Sequence, residues 1–162
     1  MHAAVHEAHH FHKLTAAHCR AKESMIRVVE AGIDLMEHAE FLDPANQLRF
    51  DSDLAEKMAE SAIWISPTLQ AWTDYPRIGS LTQRREEGQF LQEEKQKLAR
   101  LEHRLDIMRK MLDYGMKDRL VVGTDSGVSN LACGHLDCDF QLLENIRFFT
   151  GRNPDFGDAY IR

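Results

Sequence analysis

Three short apolar runs in this chain end in a side chain able to bind a metal ion: "LTAA" is followed by His18, "IDLME" by His38 and "LVVGT" by Asp125. Two imidazoles and a carboxylate suit zinc or a similar divalent ion, without excluding iron, manganese or cobalt. Each residue has a plainer reading when taken alone. A histidine at a strand end is commonly a satisfied polar residue, and Asp125 can close the turn that it forms with Gly127. Position raises the set above its parts, because all three stand at equivalent places in successive units. If the runs are adjacent parallel strands, their C-terminal ends converge, and that rim is where β/α sheets and barrels keep their chemistry.

The rest of the pattern supplies such strands. Residues 2–12 have helical spacing, 14–19 read as a short strand, and 21–31 carry Met25, Val28 and Val29 on one helical face before Gly32 stops the helix. A second strand covers 33–39. Asp51 or Ser52 then caps a helix that buries Leu54, Ala55, Met58 and Ala59, and a third strand covers 62–69 with Pro67 near its end. Leu91, Leu98, Leu101, Leu105, Met108 and Leu112 recur at helical spacing among charged residues, which predicts one or two amphipathic helices over 82–114, ended by Gly115. The fourth strand is "RLVVGTD", whose Leu120, Val121 and Val122 ask for cover on both faces. A helix over 137–149 closes the order. This alternation predicts an α/β fold of parallel β/α units with about four strands, one domain over 1–149 and a tail at 150–162.

Bulk properties narrow the partners. The 162 residues are 43% hydrophobic and 28% charged, as in an ordinary globular domain, and the net charge is −6. That balance, with no basic cluster, argues against nucleic acid and against an anionic membrane surface. No apolar stretch approaches the length of a membrane span, and a cytoplasmic location is expected. The three cysteines, Cys19, Cys133 and Cys138, suit reduced thiols better than a disulfide framework, and Cys19 is expected to be buried and inert.

Lesser candidates surround the main set. Thr68, Gln70 and Trp72 follow the third strand and would face the same mouth as the rim histidines, where Thr68 and Gln70 could touch substrate and Trp72 could equally roof the core. His135, in "CGHLDC", is a possible substrate contact on the loop after Asp125. Ser126 has no base assigned to it, so a serine hydrolase finds little support. His2, His6, His9, His10 and His12 read as a solvated helical face on which His6 and His10 stand four apart.

"TAAHC", "AGIDLMEHAEFLD", "ISPTL" and "LDYGMKDRLVVGTDSG" together resemble the C-terminal half of the metal-dependent amidohydrolases, nearest to their imidazolonepropionase-like and prolidase-like branch, over roughly residues 2–145. The resemblance implies part of a TIM-type (β/α)8 barrel that holds one or two divalent ions at its C-terminal rim. It matches His18 to the histidine of strand five, His38 to that of strand six, and Asp125 to the aspartate of strand eight. It also implies hydrolysis of an amide or related C–N bond, in which a metal-bound hydroxide attacks the carbonyl and Asp125 moves a proton from water to the leaving nitrogen. The family's His-x-His pair at the end of strand one and its strand-four lysine have no counterpart in this sequence.

A complete barrel takes about 250 residues and eight strands, so the resemblance makes this chain a half-barrel. Its expected partners are a small amide-type substrate and either a second copy or a complementary N-terminal half. Two other readings stay open: a catalytically silent fragment or assembly module, and a small protein that binds metal through its N-terminal histidines.

Overall fold

The computed structural model describes residues 1–69 and 92–127 and the separate positions 88, 136, 139, 140, 142, 143 and 146. Its contacts divide the chain into two compact units, one of Met1–Thr68 with Lys110–Gly123 and one of Leu69–Arg109 with Thr124–Arg162.

The first unit alternates helix and strand: α1 (His2–His10), β1 (Ala16–Ala21), α2 (Lys22–Ala31), β2 (Leu35–Leu42), α3 (Ser52–Glu60) and β3 (Trp64–Ser66). The strands form a parallel sheet in the order β1-β2-β3. Helix boundaries follow local chemistry. The Asp51 carboxylate caps α3 by accepting the Leu54 amide at 3.1 Å, which satisfies one of the amide groups a helix start leaves open. At the end of α2, Gly32 takes a left-handed φ of 73° and the amides of Gly32 and Ile33 turn back to the carbonyls of Val29 and Val28.

Register shows which residues share a face. Ala17, Met36 and Ile65 stand side by side, as do Cys19 and His38, and Met36, Ile65, Cys19 and His38 are all buried. The helix α2, with Met25 and Val28 buried, packs on β1 and β2. The other face carries Ala16, Leu35 and Trp64 in one row and His18, Glu37 and Ser66 in the next. Here Ala16 and His18 are exposed and Trp64 is 45% exposed. Leu35 and Glu37 are half-buried on this face and Ser66 is 3% exposed, so the face is covered in part, where a parallel sheet normally has both faces covered.

The expected fourth strand is reduced to a rung. Leu120 bridges Ile65 in parallel, and the Val121 amide donates to the Ile65 carbonyl at 2.9 Å, after which the backbone leaves regular pairing. Among the described residues its neighbour is β3, which is three residues long. Leu120 is buried, whereas Val121 and Val122 are half-buried, so the two-sided cover expected for this run holds at one residue. Gly123 answers a packing need at this point, since a Cβ there would overlap Ser66 Oγ.

In the second unit, α4 spans Gln92–Met111, with its last two residues belonging to the first unit. Leu101, Leu105 and Met108 are buried at the expected spacing, and Arg104 and Ile107 are buried with them. A π-helical turn, Leu112–Met116, ends the run at Gly115, whose φ is 88°. Asp139, Phe140, Leu142, Leu143 and Ile146 are helical, in agreement with the expected last helix. The expected helix residues 82–87 and 89–91, together with Gln70, Trp72, Cys133, His135, Cys138 and the tail at 150–162, lie outside the described residues. No described helix is long and apolar enough to cross a membrane.

Candidate metal and substrate site

At the C-terminal end of the parallel sheet, His18 Nδ1 and His38 Nε2 lie 2.8 Å apart, with the two rings edge to face at a centroid separation of 4.4 Å. Sequence placed these histidines on neighbouring strand ends, but strand alternation alone would keep them apart. His18 occupies the open face, and the register neighbour of His38 is the buried Cys19 on the other. The backbone resolves the conflict, because His38 adopts a φ of 69° and Ala39 one of 50°, which breaks the two-residue alternation. A left-handed conformation is tolerated by histidine and uncommon for alanine.

Thr68 fixes the second ring. Its Oγ1 is 2.7 Å from His38 Nδ1, and both side chains are buried. In the tautomer that donates Nδ1–H to the threonine oxygen, His38 Nε2 presents its lone pair toward His18 Nδ1. Thr68, expected to touch substrate, therefore has its hydroxyl engaged by a histidine. Its own φ of 47° is strained for a β-branched residue.

This donor set fits part of a metal site. Two imidazole nitrogens lie within hydrogen-bond distance of each other, and the second ring is oriented by an outer hydrogen bond, as metal-binding histidines commonly are. Among the described residues no cluster of three or more His, Cys, Asp or Glu side chains is placed to hold an ion. Glu37, the register neighbour of His18, does not complete one. Asp125 belongs to the second unit, where it is half-buried with a φ of 56° in the segment leading to Gly127. Beside it Thr124 Oγ1 and Ser126 Oγ are 2.5 Å apart, and the Ser126 amide donates to Thr124 Oγ1.

The rim holds one pair that sequence reasoning missed. Arg20 Nε donates to Glu40 Oε2 at 3.0 Å, with the Glu40 side chain 4% exposed and that of Arg20 47% exposed. "HCR" and "HAE" hint at it only by placing a cation and an anion each two residues beyond a rim histidine.

The other end of the sheet is chemically different. A cavity of about 610 Å³ opens there, lined by Leu14, Ile33, Asp34, Leu35 and Trp64 among others. Asp34 accepts from the Thr15 amide and hydroxyl, both at 2.7 Å, and pairs with the His9 ring at 2.8 Å. His9, expected on a solvated helical face, is thereby tied to the start of the sheet. Partial burial alone would push the Asp34 carboxyl up, but the hydrogen bonds from His9 and Thr15 outweigh it and lower it to about 2. Cys19 is a free thiol pushed up to about 11 by burial, as its expected inertness requires.

No protein-family model matches the chain, and no curated protein does. Solved structures match it by shape. A Xaa-Pro dipeptidase with methionine bound in its active site aligns with a TM-score of 0.60 at 22% identity, over 90% of this chain and 32% of that one. Over the aligned part the two chains share a fold. The ochratoxinase of A. niger aligns with a TM-score of 0.53 at 19% identity, over 76% of this chain and 24% of that one. An uncharacterized protein aligns with a TM-score of 0.55 at 19% identity, over 90% of this chain and 32% of its own length. The chain thus spans a third or less of the structures it matches.

Proposed function

We propose that this chain is the C-terminal half-barrel of a metal-dependent hydrolase of the amidohydrolase type, acting on an amide or another C–N bond in a small molecule. The observation that carries the reading is the His18–His38 pair at the C-terminal end of a parallel sheet, with His38 oriented by Thr68. In this reading His18 and His38 would hold a divalent ion, zinc by ligand type, and Asp125 keeps the role that the family resemblance gives it. Such an ion, when bound, would supply Lewis acidity and lower the pKa of a water. Asp125 would take a proton from water and return it to the leaving nitrogen, the role the family resemblance gives it, with Gln70 and His135 as candidate substrate contacts.

Isothermal titration with zinc tests this. One ion per chain is expected, with His38→Ala and His18→Ala each weakening it at least tenfold while the circular dichroism of the fold persists. Equal affinity in wild type and both variants sinks the reading. His6→Ala with His10→Ala serves as the control for binding on α1.

A second reading, a catalytically silent half-barrel or assembly module, is favoured by the exposure of Ala16, His18 and Trp64 on one face of the sheet. Its partner would be a second copy or a complementary half. Under it, the same substitutions leave assembly unchanged, as native mass spectrometry reads directly.

A further inference from the structure

The end of the sheet away from His18 and His38 carries a second arrangement that the hydrolase reading does not use. There β2 and β3 each begin a few residues after a helix: β2 follows α2 through Gly32, and β3 follows α3 through Ser61 and Ala62. Both turns pass through a left-handed residue, Gly32 at φ 73° and Ala62 at φ 60°. The C-terminal ends of the two helices are thereby held at the starts of the strands, and the turns line the cavity of about 610 Å³. That volume lies in the range of small-molecule sites, and Ile33, Leu35, Ile63 and Trp64 give it apolar walls.

Among the described residues, one charged side chain lines this cavity, Asp34. Its backbone is fixed on both sides, because its amide donates to Thr15 Oγ1 at 3.2 Å and its carbonyl accepts the Trp64 amide at 2.9 Å. The carboxylate is held through one oxygen: the Thr15 amide, the Thr15 hydroxyl and the His9 ring all meet Oδ2. Oδ1 makes no hydrogen bond among the described residues, and the side chain is part-exposed. A histidine is a cation only in its protonated form, so the His9 contact by itself does not cancel the charge. Helix ends add a field of the same sign. Arg119 Nη1 serves the α3 end by donating to the Ala59 carbonyl at 2.6 Å, whereas the last turn of α2 holds Glu30 and no basic residue. An anchored anion, a helix C-terminus without a cation on its last turn, and walls that include no lysine or arginine thus meet in one place.

We propose that this cavity binds a small organic ammonium ion with an apolar body, of the size of a phenylalkylamine, and that Asp34 receives the ammonium group. The site is separate from the hydrolase reading, since neither His18 nor His38 lines the cavity. An ammonium carries several donors and can use the open oxygen of a carboxylate whose other oxygen is already engaged. A hydrogen bond between two charged groups is roughly twice as strong as one between neutral groups. Trp64, 45% exposed, brings to the wall the aromatic side chain that attracts cations most strongly. An uncharged molecule of the same shape would cover the apolar walls and leave the carboxylate without a cation. The ammonium group therefore carries the selectivity, and the apolar body carries affinity that the two molecules share.

The test is a nuclear magnetic resonance titration of the full ¹⁵N-labelled chain with 2-phenylethylamine and, separately, 2-phenylethanol, at about pH 7.5, where an ordinary imidazole is mostly neutral and an alkylammonium is charged. The amine is expected to shift the Trp64 indole N–H and the backbone amides of Asp34 and Leu35, and to bind about tenfold tighter than the alcohol. Asp34→Asn should remove that preference and leave the affinity for the alcohol within about twofold of wild type. Should Asp34→Asn fail to fold, Leu14→Lys makes the comparison instead: Leu14 lines the cavity and is 86% exposed, so a lysine there sets a competing ammonium beside Asp34 without opening the core. It is expected to cut the preference to about threefold or less. Equal affinity for the two compounds in the wild-type chain, a preference undiminished in Leu14→Lys or surviving in folded Asp34→Asn, or failure of both compounds to move the Trp64 and Asp34 signals overturns the proposal.

Discussion

Thr68 Oγ1 lies 2.7 Å from His38 Nδ1, and both residues hold left-handed backbone angles to keep it there. The contact leaves Nε2 of His38 to face His18. Thr68→Val keeps the branched shape and removes the hydroxyl. Zinc affinity is expected to fall 10–100-fold, the usual cost of losing a partner that orients a metal-binding histidine. Competition with a chromophoric chelator measures it, and an unchanged affinity would show that packing alone orients the ring.

Asp34 links His9 on α1 to Thr15 before β1 and sits at the head of β2. Its carboxyl is lowered from 3.8 to about 2 in the folded chain, so the folded state binds that proton less readily than the unfolded one. The resulting stability is fully present above about pH 4 and is lost as the pH falls through about 2. Asp34→Asn should therefore cost about 1–2 kcal/mol at pH 7, and the gap to wild type should narrow as the pH falls toward 2. Urea midpoints at pH 7 and pH 2.5 read the difference; a gap that does not change with pH would contradict the ionised role.

Gly123 approaches the buried Ser66 so closely that a methyl group would meet Ser66 Oγ. Gly123→Ala is expected to destabilise by about 1–3 kcal/mol through overpacking. Removing the hydroxyl in Ser66→Ala opens the space, so the double variant should recover most of the loss. Thermal melts of the four chains in the cycle test this, and strict additivity would assign the cost to the backbone rather than to Ser66.

Cys19 is 1% exposed with its thiol pushed up to about 11, which leaves almost no thiolate at neutral pH. Iodoacetamide at pH 7.5 should spare it in the native chain and modify it in denaturant. Peptide mapping separates Cys19 from Cys133 and Cys138. Fast native labelling of the Cys19 peptide would mean that β1 opens readily.

What the sequence revealed and what it hid differ in kind. The helix of Met25 and Val28, the Asp51 cap and the stop at Gly32 depend on neighbours within a turn or two, and they were legible. The rim positions of His18 and His38 were also legible, because a polar residue after an apolar run marks a strand end. The meeting of the two rings was not. Alternation assigns His38 to the face of Cys19, and only the left-handed turn at His38 brings its ring to His18. The Arg20–Glu40 pair was hidden for a related reason: a bulge is a property of two strands in register, and neither "HCRA" nor "HAEFL" carries it alone. The fourth strand was overcalled because apolar Val121 and Val122 say nothing of how short their neighbour is.

The rung between Ile65 and Leu120 bears on the order in which the chain assembles. β1, β2 and β3 are joined by single helices, so each new strand finds its neighbour after one short excursion of the chain. Leu120 returns to β3 only after α4 and everything around it has intervened. Bringing distant segments together costs more chain entropy and slows a fold's completion. During synthesis the first three strands can pair while the segment that carries Asp125 is still unmade. The two histidines then meet early, and the carboxylate assigned to the same chemistry is the last of the three to arrive.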